Sequence, residues 1–291
     1  MKATTMRRAV LLLIGILVSA HAWGLSFEPL SMQFRPSGRE SIRTFRVTNT
    51  QNDNIAVRVR MTTRELETSG AEVRHPADER FTVFPSSLYL APGQTQAVRV
   101  QWRGEPQLDR EHSYRIIVEQ VAVEDTTQTQ SRSDGADGSA PGAGDGGHND
   151  GTRDGGGTRD GGSAARGGEQ VSLDFIYRYI GAVYVGPAGA SPEIVFEGSD
   201  LEVTEGEPAS IVTLEFTNRG GRHSIVRSID ATLRALTTDG TEVEYELNSS
   251  AFPAIAGKNF LAGATIRQPL RLPGHLDPSS IELEYHLESA R

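Results

Sequence analysis

The sequence contains no cysteine. That absence excludes disulfide staples, thiolate catalysis, cysteinyl zinc sites and acylation of a lipoprotein cysteine. Basic charge is also short, with 29 Lys and Arg against 38 Asp and Glu and a net charge of −9. The diffuse cationic field that attracts nucleic acid or anionic lipid is therefore missing, and neither is expected as a partner. Long apolar runs are lacking too. The one at the start, Ala9–Val18, has ten residues, fewer than the roughly 20 that a spanning helix needs. It follows Lys2, Arg7 and Arg8 and precedes Ala20-His21-Ala22. Cationic, apolar and small-x-small segments in that order read as a secretory signal. The expectation is a signal peptide over residues 1–22, a mature chain beginning near Trp23, and no integral membrane segment after cleavage.

Catalytic and metal-binding signatures are equally scarce. None of the seven histidines falls in an HExxH, HxH or close His/carboxylate cluster, so they read as surface or satisfied side chains rather than ligands. Gly142, Gly144 and Gly147 satisfy G-x-G-x-x-G in form only, because dinucleotide binding needs a strand before the motif and a helix after it. The spacing of Asp145, Asp150, Asp154 and Asp160 matches neither an EF-hand loop nor a glycine-rich calcium repeat. No GxSxG elbow occurs. No metal, no cofactor and no enzymatic activity is expected.

What is present is alternation. Ile55, Val57, Val59 and Met61 interleave with Ala56, Arg58 and Arg60, the period-2 pattern of a half-buried strand. Phe45 and Val47, then Val98, Val100 and Trp102, then Tyr114, Ile116 and Val118 repeat it between turn signals such as Asn52-Asp53-Asn54 and Pro92-Gly93. Short strands with frequent turns and no helical stripe indicate a β-sandwich.

The pattern stops from Asp125 to Gln170, where 14 of the 31 glycines fall between Gly135 and Gly168 and GTRDGG at Gly151–Gly156 is repeated at Gly157–Gly162. Such a tract has nothing to bury and is read as a disordered insertion. Strand character returns over Val171–Val185, followed by a hinge at residues 188–192 and a second series that includes Val212, Leu214 and Phe216, and later Ile281, Leu283, Tyr285 and Leu287. The two halves echo each other: Thr44-Phe45-Arg46-Val47-Thr48-Asn49 leads to Ile55, and Thr213-Leu214-Glu215-Phe216-Thr217-Asn218 leads to Ile225. Two copies of one sandwich type are expected.

One stretch is more specific than a generic hairpin. Phe84-Pro85-Ser86-Ser87-Leu88-Tyr89-Leu90-Ala91-Pro92-Gly93-Gln94-Thr95-Gln96-Ala97-Val98-Arg99-Val100 resembles the signature of PapD-like periplasmic chaperones of the chaperone–usher pathway. Tyr114–Gln120 is similar to that family's F1 strand, and Val171–Pro187, closing on Val183-Tyr184-Val185-Gly186-Pro187, to its G1 strand; Leu270-Arg271-Leu272-Pro273 resembles an element of its second domain. The resemblance implies an all-β chain of two Ig-like β-sandwich domains. The first would span residues 23–187, with the 125–170 insertion before G1, and the second residues 193–291.

The resemblance also implies a function: a periplasmic protein that binds pilus or fimbrial subunits by donating G1 to their open cores and delivers them to an outer-membrane usher. Aligned from Pro187, the donor face would carry Val171, Leu173, Phe175, Tyr177 and Tyr179, with Ser172, Asp174, Ile176, Arg178 and Ile180 opposite. Periodicity alone leaves open whether that face is donated or is ordinary core. The family holds the subunit's terminal carboxylate with two cleft cations, but here Ser31 and Ala182 stand at those positions. Arg35 and Arg178 are the substitutes expected to anchor a carboxylate. The alternative reading is a secreted Ig-like structural or adhesive protein with the glycine tract as spacer and no chaperone role.

Overall fold

The computed structural model describes residues 24–121, 176–203 and 209–290. The expected signal peptide, the glycine-rich insertion and Val171, Leu173 and Phe175 lie outside them. The described chain is all-β: two Ig-like β-sandwiches, whose strands fall in one compact unit.

In the first sandwich one sheet runs in the order β1 (Leu25–Glu28), β3 (Ile42–Asn49), β9 (Thr95–Trp102), β7 (Phe81–Phe84). The facing sheet runs β2 (Ser31–Phe34), β11 (Arg178–Val185), β10 (His112–Val121), β4 (Ile55–Thr63), β8 (Ser87–Leu90). A small hairpin, β5 (Glu65–Leu66) with β6 (Glu72–Val73), branches off the end of β4. The expected alternation holds: Ile55, Val57, Val59 and Met61 are buried while Arg58 and Arg60 are exposed. Inward-facing residues of the two sheets meet in a core that includes Phe34, Phe45, Val98, Ile116 and Val183. Phe81, Trp102 and Tyr114 close one part of it with ring centroids 5.0–5.5 Å apart, tilted and edge-on as the aromatic quadrupole favours.

The second sandwich packs a sheet of β12 (Ile194–Val203), β13 (Ala209–Asn218) and β17 (Thr265–Pro273) on one built around β14 (Ser224–Leu236). β14 is flanked by β18 (Glu282–Ala290) on one edge and by β15 (Glu242–Leu247) and β16 (Asn259–Phe260) on the other. Phe216, Ile229, Leu233, Phe252 and Phe260 form its core.

The internal echo seen in the sequence is an echo in structure. Asn49 and Asn218 are both fully buried at the ends of equivalent strands. Each caps the following turn: Asn49 Nδ2 donates to the carbonyls of Asp53 (2.7 Å) and Leu90 (3.0 Å), and Asn218 Nδ2 to those of Arg222 (2.9 Å) and Phe260 (3.1 Å). The threonine before each asparagine pairs hydroxyls across the sheet, Thr48 with Thr95 and Thr217 with Thr265, both at 2.9 Å.

Candidate functional site

β11 is hydrogen-bonded along its whole length to β10, from His112↔Val185 to Glu119↔Arg178. Its other side is only half covered, because β2 pairs in parallel with Ala182–Val185 and no further. The backbone direction follows from two bonds. Gln120 N donates to the Tyr177 carbonyl, so the odd-numbered residues turn their polar groups to β10, and Ala182 N donates to the Leu30 carbonyl, so the even ones turn theirs away. Among the described residues, the backbone groups of Ile176, Arg178 and Ile180 face an open sheet edge. Apolar side chains surround that edge: Ile176 is 65 % exposed, Leu30 58 % and Ile180 38 %. An open edge flanked by exposed apolar residues is the geometry that accepts an extended strand from another chain.

The face assignment of the sequence reading is corrected here. Tyr177 and Tyr179, expected on the outward ridge, pack against the core of the first sandwich. The Tyr177 ring lies against the backbone of Gly24, and the Tyr179 ring is 6.5 Å from that of Phe27. β11 alternates without interruption from Val185 to Tyr177, so the face that buries Val183 and Val185 also carries both tyrosines. The outward face belongs to Ile176, Arg178 and Ile180.

On that outward face the strands line up in cross-strand rows. Ser31, Ala182, Arg115 and Thr62 form one row across β2, β11, β10 and β4, so the two positions that lack a cation are direct neighbours, and Arg115 stands one strand further on. Arg115 was not among the sequence-derived site residues. Alternation places it opposite Tyr114 and Ile116, but only the β10–β11 register puts it beside Ala182. Arg115 donates to Glu72 through Nε (3.0 Å) and Nη2 (2.5 Å), and Glu72 also accepts from Arg64 (2.8 Å) and Arg74 (2.6 Å). Burial disfavours the charge on Glu72, but the hydrogen bonds from Arg115, Arg74 and Arg64 and the charge of Arg115 outweigh it and lower its pKa to about 2.

The two expected anchors are placed differently from one another. Arg35 directs Nη1 to the carbonyls of Pro187 (2.7 Å) and Gly186 (3.3 Å), with Nε 3.5 Å from Glu40. Its guanidinium is thus committed to the segment leaving β11. Arg178, half-exposed, lies on the outward face with Nε 3.7 Å from Glu119, which Arg60 also contacts at 2.7 Å.

Next to this face, Tyr184 joins the two sandwiches. Its hydroxyl accepts from Arg64 (3.0 Å) and from Asn259 (2.7 Å), and its ring stacks on His223 with centroids 3.8 Å apart. His223 Nδ1 lies 2.5 Å from Glu111, whose other oxygen accepts from Gln33 at 3.1 Å. Among the described residues no helix is long and apolar enough to cross a membrane, and no group of three or more His, Asp and Glu is arranged to hold a metal ion.

Comparison with known proteins bears on the first sandwich directly. Residues 34–135 match the family described as pili and flagellar-assembly chaperone, PapD N-terminal domain. No curated protein matches the chain. Among solved structures it is similar to the class 5 fimbriae chaperone CfaA, with 12 % identity, a TM-score of 0.46, and 91 % of this chain and 99 % of that one covered. It is also similar to a structure of the CsuC–CsuE chaperone–tip adhesion subunit complex from the archaic chaperone–usher Csu pili of Acinetobacter baumannii (11 %, 0.43, 84 % and 89 %). A third is the Salmonella enterica SafA pilin in complex with the SafB chaperone (14 %, 0.42, 94 % and 98 %).

Proposed function

We propose that this chain, whose first domain is PapD-like, is a periplasmic chaperone that binds pilus or fimbrial subunits by donor-strand complementation along β11 and delivers them to an outer-membrane usher. The observation that supports this reading is the sheet edge that is open among the described residues from Ile176 to Ile180, at the start of β11 and just before it, with Leu30, Ile176 and Ile180 exposed around it. Its backbone groups would continue the sheet into the subunit, and its outward apolar side chains, Ile176 and Ile180, would enter the subunit's core. Val171, Leu173 and Phe175, which precede Ile176 in the chain, belong to the proposed donor segment. Arg178 and Arg115 are the proposed partners for a subunit carboxylate, since both lie on the face that carries Ser31 and Ala182.

The test separates edge pairing from folding. Proline at Ile180 removes an N–H that points out of the sheet and leaves the β10 ladder its donors, a position where edge strands tolerate proline. Ile180→Pro is expected to abolish co-purification of a co-expressed pilin subunit while the thermal melt stays cooperative. Proline at Tyr179, whose N–H faces β10, is expected to depress the melting temperature itself. Retention of the subunit by a folded Ile180→Pro protein would sink the donor-strand reading and favour the structural or adhesive alternative.

A further inference from the structure

We propose that Asn248, at the end of β15, is an acceptor for N-linked glycosylation, with Ser250 as the hydroxyl residue of the acceptor motif. The inference stands apart from the chaperone reading and uses neither the open edge nor the Arg115 row. It rests on export of the chain, as its first residues are read.

Asn-x-Ser/Thr, with any residue but proline between, is the motif at which an oligosaccharide is attached to an exported chain. Asn248-Ser249-Ser250 is the one place in the sequence where it occurs. So short a motif also arises by chance, and its surroundings decide whether it is usable. An acceptor has to lie at the surface and has to have its side-chain nitrogen free. The other described asparagines fail one condition or another. Asn49 and Asn218 are fully buried and spend Nδ2 on two carbonyls each. Asn259 donates Nδ2 to the Tyr184 hydroxyl. Asn52 and Asn54 are exposed but lack the hydroxyl residue two positions on. Asn248 is exposed, and its Nδ2 has no acceptor among the described residues.

The plain role of Asn248 is to cap the 3-10 turn Ser249–Ala251: its Oδ1 accepts from the Ser250 backbone N–H at 3.0 Å and from the Ser250 hydroxyl at 2.6 Å. A backbone N–H only donates, so the amide oxygen is the atom turned to Ser250 and the nitrogen is the atom turned away. Such a cap needs no amide. The turn Pro278–Ser280 is built the same way on Asp277, whose Oδ1 accepts from Ser279 N at 2.9 Å and Ser279 Oγ at 2.7 Å. Capping therefore accounts for the oxygen of Asn248 and leaves its nitrogen without a structural task. Asn248 also lies beyond the last cross-strand pair of β15, Ala231↔Leu247, so a transferase reaches the side chain without breaking the sheet.

The sugar donor implied is an oligosaccharide carried on a polyprenyl diphosphate. Nδ2 attacks the anomeric carbon: the C–N bond forms, the C–O bond to the diphosphate breaks, the polyprenyl diphosphate leaves with the electron pair, and one amide proton passes to a base of the transferase. The oxygen keeps its lone pairs for Ser250, so the cap survives in the product.

Incubation of the purified full chain with a bacterial oligosaccharyltransferase and an undecaprenyl-diphosphate-linked oligosaccharide, read by intact mass and peptide fragmentation, tests the proposal. One oligosaccharide per chain is expected, on the peptide that contains Asn248. Asn248→Asp removes the nitrogen and keeps the cap, as Asp277 does in its own turn. Ser250→Ala removes the hydroxyl and keeps the backbone donor. Both variants are expected to lose the modification while their thermal melts match that of the wild type, and Ser250→Thr is expected to keep it. An unmodified wild-type chain in a mixture where a control acceptor peptide is glycosylated overturns the proposal. So does an added mass that persists in Asn248→Asp or in Ser250→Ala.

Discussion

At Glu72 a single carboxylate accepts hydrogen bonds from Arg64, Arg74 and Arg115, and so ties the β5–β6 hairpin to the outward face of the sheet. A neutral side chain there would leave clustered guanidinium groups without their counter-charge. Glu72→Gln is expected to lower stability at pH 7 by about 1–3 kcal/mol, a range discounted for the partial exposure of the site. The pH dependence has a definite sign. The folded pKa is depressed from 4.5 to about 2, so the contribution is complete above the unfolded pKa and is lost as pH falls through the folded one. Urea melts of wild type and Glu72→Gln are expected to differ most near neutrality and to converge as pH falls towards 2. A constant difference across that window would mean that the clamp is not electrostatic.

Strands and turns divide the labour between holding the fold and exposing an edge. In the second sandwich the outer strands carry devices that discourage pairing: Pro269 and Pro273 in β17, a bulge between Phe196 and Gly198 in β12, and exposed glutamates along β15 and β18. The Ile176–Ile180 stretch, at the start of β11 and just before it, has apolar flanks instead, which is what sets it apart as the proposed binding edge. The turns after β3 and β13 depend on Asn49 and Asn218, and substitution leaves buried carbonyls such as that of Leu90 or Phe260 without a donor. Asn49→Ala and Asn218→Ala are each expected to cost about 2–3 kcal/mol in denaturant melts. Their effects should add, because the two residues lie in separate cores. A change below about 0.5 kcal/mol in either would show that the turn holds without its cap.

Across the whole molecule, the two sandwiches are joined by polar contacts that converge on Glu111, His223 and Tyr184, and by the Arg267 N–H donating to the Thr68 carbonyl of the β5–β6 turn at 2.6 Å. Burial opposes ionisation of Glu111, whose side chain is 1 % exposed, but the hydrogen bonds and charge of His223 and the Gln33 amide hold its pKa below the usual carboxylate value. The linkage has the same sign as at Glu72: the contribution of the Glu111 carboxylate is complete above its unfolded pKa and is lost as pH falls through the lowered one. Scanning calorimetry is expected to show one joint transition at pH 7 and two separated ones in acid. Glu111→Gln should separate them already at pH 7. A single transition for that variant at pH 7 would place the coupling elsewhere, in the Tyr184 contacts or the hairpin.

Local chemistry written along the chain determined the all-β class, the alternation of Ile55–Met61 and the twin asparagine turns, because strand period and turn capping depend on residues within a few positions of one another. The same alternation marked two faces on β11 but not which of them is buried. That was decided by the sheet the strand joins: Val183 and Val185 go into the core, Tyr177 and Tyr179 follow them, and Ile176 and Ile180 are left outside. Register decided the rest, placing Arg115 beside Ala182 and Ser31. The pairing of Glu111 with His223, 112 positions away, depends on how both sandwiches close. Such juxtapositions arise from contacts between segments far apart in the chain, and a pattern with a period of two residues carries no record of them.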